Sequence, residues 1–352
     1  MSSEIDSLIE TVQQNCHISD ARFAQNYTLC IYLLKMRELY RWEQGHGYEE
    51  KLAHEALGGW ITEREALWDR VENDAFSDLS FASQLFSPFE SDMLNNKLFP
   101  HGYVYSGGYG RFAKPLFVVA ELESQQQHQA MNIVITGREL ARDIVAPPAM
   151  TQGKTIIVRR ESLQRMLWER IEEWGWKEYE NSMGRALSSY SFKDSPAEIL
   201  EEMTNNEIEA VVLHEIGEYQ CGERLNPLWN EMVMSIAGTK SELYARAIRD
   251  HIADAISTLP QLIATQNTPS IHFYMANFSG IRREIFPALL DVYKQWCSSD
   301  NGSLTPVKTC IDRGLEHWVS IANEMVNIYN NSSEYERIDR LEAMINLAKL
   351  ET

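Results

Sequence analysis

The sequence predicts a mainly α-helical protein with a small antiparallel β insertion, α+β overall. Three observations predict it. Apolar residues recur at helical spacing over residues 3–15, 19–44 and 60–74. Between Gly102 and Val158, short β-branched and aromatic runs alternate with glycine and polar turns. From Glu161 onward the helical spacing returns and persists to the end. The expected divisions are an N-terminal helical region (1–100), a small sheet (101–158) and a C-terminal helical region (159–352), with the two helical regions able to share one compact domain.

Each element has its own signal. In the helix expected over 19–44, Phe23, Tyr27, Cys30, Leu34 and Met36 fall near one face, and Asp20 is a candidate cap. Trp60, Leu67, Trp68 and Val71 repeat the pattern, with Thr62 and Glu65 spaced as a capping box. Ser87-Pro88 opens a short helix with proline in its first turn. Tyr103 to Gly110, Leu116 to Ala120, Met131 to Thr136 and Thr155 to Arg159 read as strands. The C-terminal helices are expected at 160–174, 195–203, 206–222, 227–236, 240–264, 281–297, 304–329 and 333–350.

Composition narrows the function classes. Hydrophobic residues make up 44% of 352, enough for a sizeable core. The formal net charge of −19 would repel a phosphate backbone, and no long basic run offsets it, so no nucleic-acid partner is expected. No apolar run approaches the roughly 20 residues that span a bilayer, so no membrane partner is expected. Residues 1–10 carry neither a basic region nor an apolar stretch, and the five cysteines are scattered and odd in number. The expectation is a cytoplasmic protein with reduced thiols.

The chemistry-bearing residues lie in two clusters. His214, Glu215 and Glu218 interrupt one apolar helical run; Asp250, His251 and Asp254 interrupt another. Ionised groups are costly to bury unless paired or bound to a metal. His214 and Glu218 are four apart, as are Asp250 and Asp254; His251 and Asp254 are three apart. Each helix can therefore aim an imidazole and a carboxylate at one point. Two such helices packed antiparallel would supply the mixed N/O shell that suits Fe, Mn or Zn. The expected ligands are His214, Glu218, His251 and Asp254, with Glu215 and Asp250 as catalytic base, bridging ligands or orienting groups. Weaker candidates are His17, Asp20, Glu316, His317 and Glu324. Gly217, costly in a helix, suggests close approach of a neighbouring helix or ligand. The bland reading is an ion-pair network locked by Arg224, Arg246 and Arg249.

Other motifs carry less. His214-Glu215-x-x-Glu218 resembles the zinc-protease pattern but has Glu where the second His belongs. Thr151 to Thr155 resembles the end of a phosphate-binding loop, yet Pro148 replaces the required glycine and a β run follows. Ser106 to Gly110 reads as a hairpin turn. Cys16-His17 reads as structural. His272 reads as core, with His272 and Tyr274 able to line a pocket.

Several runs together are similar to a known family: Asn15 to Glu38, His101 to Gly110, Gly137 to Glu169, Val211 to Glu218 and Ala245 to Pro260. They resemble an uncharacterised bacterial protein family of about this length, over residues 5 to 325. No activity is established for that family, so the resemblance implies a full-length, single-family reading and assigns no catalytic residue.

The functional expectation is a cytosolic metal-dependent enzyme, an oxidoreductase first, acting on a small molecule. Alternatives are a non-catalytic scaffold that binds a protein partner, and a zinc-dependent hydrolase with an altered ligand set. A homo-oligomer is compatible with any of them.

Overall fold

The computed structural model describes residues 2–110, 113–175, 181–190, 196–299 and 302–351. The chain divides into two units, Met1–Trp168 and Glu169–Thr352. The fold is α+β, as the periodicities predict.

The first unit begins with three helices, α1 (Ser2–Phe23), α2 (Leu29–Glu43) and α3 (His54–Val71). A short hairpin, β1 (Leu79–Phe81) and β2 (Gln84–Phe86), leads to α4 (Ser91–Leu98). Then come β3 (Tyr103–Tyr109), β4 (Pro115–His128), β5 (Met131–Arg142), β6 (Ala149–Gln152) and β7 (Thr155–Arg159), which form one sheet in the order β3-β4-β5-β7-β6. All its pairs are antiparallel except β5 with β7. Successive side chains of a strand point to opposite faces. Phe117 and Val119 accordingly pack with Leu8, Val12 and Cys16 of α1. Val118 and Ala120 pack with Val104, Val134 and Ile157 on the other face.

Four local expectations are corrected. The helix expected over 19–44 is two, because Tyr27 and Thr28 are extended before Leu29 starts α2. Asp20 caps nothing: it is buried inside α1, where it accepts from Lys114 Nζ at 2.5 Å and from the Ile144 amide at 3.0 Å. Thr62 is interior to α3, its hydroxyl donating to the Gly58 carbonyl at 3.1 Å. Ser106 to Tyr109 is strand rather than turn, and Gly107 is needed because a Cβ there would collide with the Pro88 carbonyl.

Helix α5 (Arg160–Gly175) follows β7. The second unit then continues through α6 (Ser182–Leu187), α7 (Pro196–Arg224), α8 (Trp229–Ser235) and α9 (Lys240–Ala253). A π-helical turn, Asp254–Thr258, joins α9 to α10 (Leu259–Ala264). After it come α11 (Thr268–Asn277), α12 (Gly280–Ile285), α13 (Pro287–Cys297), α14 (Thr305–Asn331) and α15 (Glu334–Leu347). The expected helices at 195–203 and 206–222 are the single 29-residue α7. Its core centres on Trp318, Met325, Ile252, Ala253 and Leu289, all essentially inaccessible to solvent. Pro269, Pro287 and Pro306 each stand in a first helical turn, where the missing amide hydrogen costs nothing.

Candidate metal centre

Helix α7 presents His214 and Glu218 one turn apart, toward α9. Gly217 lets the helices meet: a Cβ on it would drive into the Ala253 carbonyl. The expectation attached to Gly217 is therefore met by a neighbouring backbone. Immediately after Ala253 the chain takes its π turn, a form that occurs mostly as a single turn inside α-helices and frequently at functional sites.

Among the described residues, His214, Glu218 and Asp250 offer ligand atoms that all lie within 4.8 Å of one another. Asp254 stands beside the trio. Its Oδ1 accepts from His214 Nδ1 at 2.7 Å, which turns Nε2 toward Glu218 Oε1, 3.8 Å away. Its Oδ2 accepts from the Tyr274 hydroxyl at 2.9 Å and from Arg282. Thr258, at the far end of the π turn, donates back to Oδ1 at 3.2 Å. Glu218 divides its oxygens: Oε2 takes Arg249, while Oε1 faces the imidazole.

The electrostatics follow from this wiring. Burial works to lower the His214 pKa, but Asp254, the hydrogen bond to it, Glu218 and Asp250 together raise it to about 10. For Asp254, burial is outweighed by Arg282 and His214, so the carboxyl lies well below the usual range. Burial pushes Asp250 upward, against the pull of His214 and Arg282. A carboxylate that fixes one imidazole nitrogen and thereby aims the other is the usual support of a histidine ligand.

The remaining expected residues go elsewhere. Asp250, expected as a base, joins the converging trio, whereas Asp254, expected as a ligand, lies outside it and accepts a hydrogen bond from His214. His251 is not part of the convergence. Its Nε2 donates to the Arg282 carbonyl at 3.0 Å, and its ring stacks on Trp318 with a centroid separation of 5.2 Å. Burial, then Arg282, lowers its pKa to about 3, so it sits in the core as a neutral ring. Glu215 lies outside the convergence as well. His317 donates to the Ala348 carbonyl at 2.7 Å. Cys16 is buried, and burial raises its thiol pKa well above the ordinary value; His17 meets Arg64 instead, and burial followed by the Arg64 charge lowers it to about 3. Arg282 and Thr258 were missed, and Tyr274 was expected only as a pocket-lining residue. Arg282 lies far from both clusters in sequence and has no local signal. Tyr274 carried only the aromatic character of its segment.

Residues 7–159 match the N-terminal domain, and residues 164–348 the C-terminal domain, of a family of unknown function (DUF6866). The chain belongs to this family. It matches no curated protein and no solved structure. The two matched domains part between residues 159 and 164, close to the Trp168/Glu169 division of the fold.

Proposed function

We propose that the chain is a cytoplasmic metal-dependent enzyme acting on a small molecule, with its centre at His214, Glu218 and Asp250. The observation that carries this reading is the convergence of one imidazole and two carboxylates from α7 and α9, with His214 Nδ1 already engaged by Asp254. The donor set fits a first-row divalent ion: the His214 ring points Nε2 at the cluster, and Glu218 keeps Oε1 clear of Arg249. Three protein ligands leave coordination positions for a substrate or water. A bound ion would supply Lewis-acid or electron-transfer chemistry at those positions. Iron or manganese would favour the oxidoreductase reading; zinc would favour hydrolysis. The cytoplasmic setting is supported by five cysteines that are all free thiols. The acidic balance argues against a nucleic-acid partner.

A second reading rests on the pairs Glu218–Arg249 and Asp254–Arg282. They make the same cluster a self-sufficient ion-pair network, suited to a scaffold that binds a protein partner. Elemental analysis of protein purified without a His tag or chelator separates the two, run beside a His214→Ala/Asp250→Ala variant. Near-stoichiometric iron, manganese or zinc that disappears in the variant supports the enzyme. No metal in either protein, even after anaerobic reconstitution, supports the network.

A further inference from the structure

The first unit holds a cavity of about 400 Å³ between α2, the loop that follows it, β5 and the first turns of α5. Four arginines line it: Arg41, Arg138, Arg160 and Arg165. Three of them are engaged. Arg41 donates to the Gly47 and Glu50 carbonyls, Arg138 pairs with Glu121 at 3.0 Å, and Arg160 pairs with Glu123 at 3.3 Å.

Arg165 differs. It is 8% exposed, and among the described residues it has neither a hydrogen bond nor an ion pair. Its charge acts on Glu139, but that carboxylate is already held by Arg159 at 2.9 Å, by Ser162, and by Arg142 at 3.6 Å. Of the two carboxylates on the cavity wall, Glu38 is engaged by Arg37 at 2.6 Å and Arg41 at 3.5 Å. Glu161 accepts the Glu139 amide at 2.7 Å. A buried cation with no direct ion pair is costly, and the open volume beside this one is of the size that takes a small molecule.

We propose that Arg165 binds the phosphate or carboxylate headgroup of a small anionic ligand in this cavity. The planar guanidinium fork matches either oxyanion in a bidentate fashion. Trp42 and Tyr48 supply aromatic wall for the body of the ligand. Trp42 is fixed by its indole donating to the Glu139 carbonyl at 3.2 Å, and Tyr48 by its hydroxyl donating to the Glu161 carbonyl at 3.3 Å. The Glu161 carboxyl, raised to about 7 by burial and by the Glu139 charge, repels an anion less than an ordinary glutamate would. In a chain of net charge −19, a cavity with four arginines and two carboxylates selects ligands of opposite sign to those the surface attracts.

The test is calorimetric titration of the full chain with inorganic phosphate, phenyl phosphate and benzoate. Arg165→Met should weaken whichever probe binds by at least about tenfold. Arg170→Gln, on the exposed side of α5, should leave it unchanged. Arginine-selective dicarbonyl labelling of the wild type, read by peptide mass spectrometry, should show Arg165 protected by the same probe; this arm stands even where Arg165→Met fails to fold. Phosphate binding without benzoate binding assigns a phosphate headgroup, and the reverse a carboxylate. The proposal is overturned when no probe binds at millimolar concentration, or when binding and labelling are indifferent to Arg165.

Discussion

His214 Nδ1 lies 2.7 Å from Asp254 Oδ1, across forty residues of chain. The carboxylate is one of the most heavily used in the molecule, since Tyr274, Thr258 and Arg282 also donate to it. Its hydrogen bond to Nδ1 sets the direction of the imidazole.

Under the proposed metal reading, Asp254→Asn should retain the stoichiometry of whatever metal the wild type binds and lower its affinity by about 10–100-fold, the usual effect of losing a ligand's supporting carboxylate. Competition against a chelator of known affinity reads this. Loss of stoichiometry, with the fold intact, would instead make Asp254 a ligand.

Gly217→Ala should destabilise the protein by about 1–3 kcal/mol, although alanine is the better helix former, because the new Cβ meets the Ala253 backbone. Gly222, on the same helix with open space around it, supplies the contrast. Gly222→Ala should stabilise by up to about 1 kcal/mol. Denaturant unfolding of the two variants would show opposite signs; equal signs would mean that α7 and α9 do not touch at Gly217.

Glu207 gives a pH dependence. It is buried, and burial, against one Ser270 hydrogen bond of 2.8 Å, raises its pKa to about 7 from the ordinary 4.5. Between those values the folded state binds more protons than the unfolded state, so stability falls as pH rises. The penalty is absent below about pH 4.5 and complete above about pH 7. Glu207→Gln removes it, so the variant should exceed the wild type by up to about 3 kcal/mol at pH 8 and lose that advantage at pH 4.5. A gap that does not change with pH would contradict the assignment.

Glu139→Ala should cost about 3–5 kcal/mol, because it leaves Arg159 fully buried without its partner. Thermal unfolding measures it. A change under 1 kcal/mol would mean that water or another group takes over the guanidinium.

Much of this architecture is legible in residue order. The glycine-punctuated runs after Gly102 mark the sheet, and i,i+4 spacing puts His214 and Glu218 on one face of α7. The parallel pairing of β5 with β7 has no local signal, because it depends on how the chain returns after Arg142. Nor does local spacing choose among Asp250, His251 and Asp254. All three fit a helix face, and the choice rests on the rotation of α9 about its axis, which close contact at Gly217 and the aromatic surroundings of His251 determine together. Arg282 enters from α12 only through tertiary packing, as does the isolation of Arg165.

The π turn at Asp254–Thr258 has a consequence for descent as well as for geometry. Such a turn is a helix carrying one surplus residue. Removing a single codon from this stretch would restore ordinary winding and leave the flanking helical faces where they are, because the wider turn absorbs the extra residue locally. Asp254 and Thr258 would then stand three residues apart instead of four, and the hydroxyl would approach the carboxylate from a different direction. Relatives with and without that surplus codon should thus differ in how the imidazole of His214 is held, while the helices on either side keep their apolar faces.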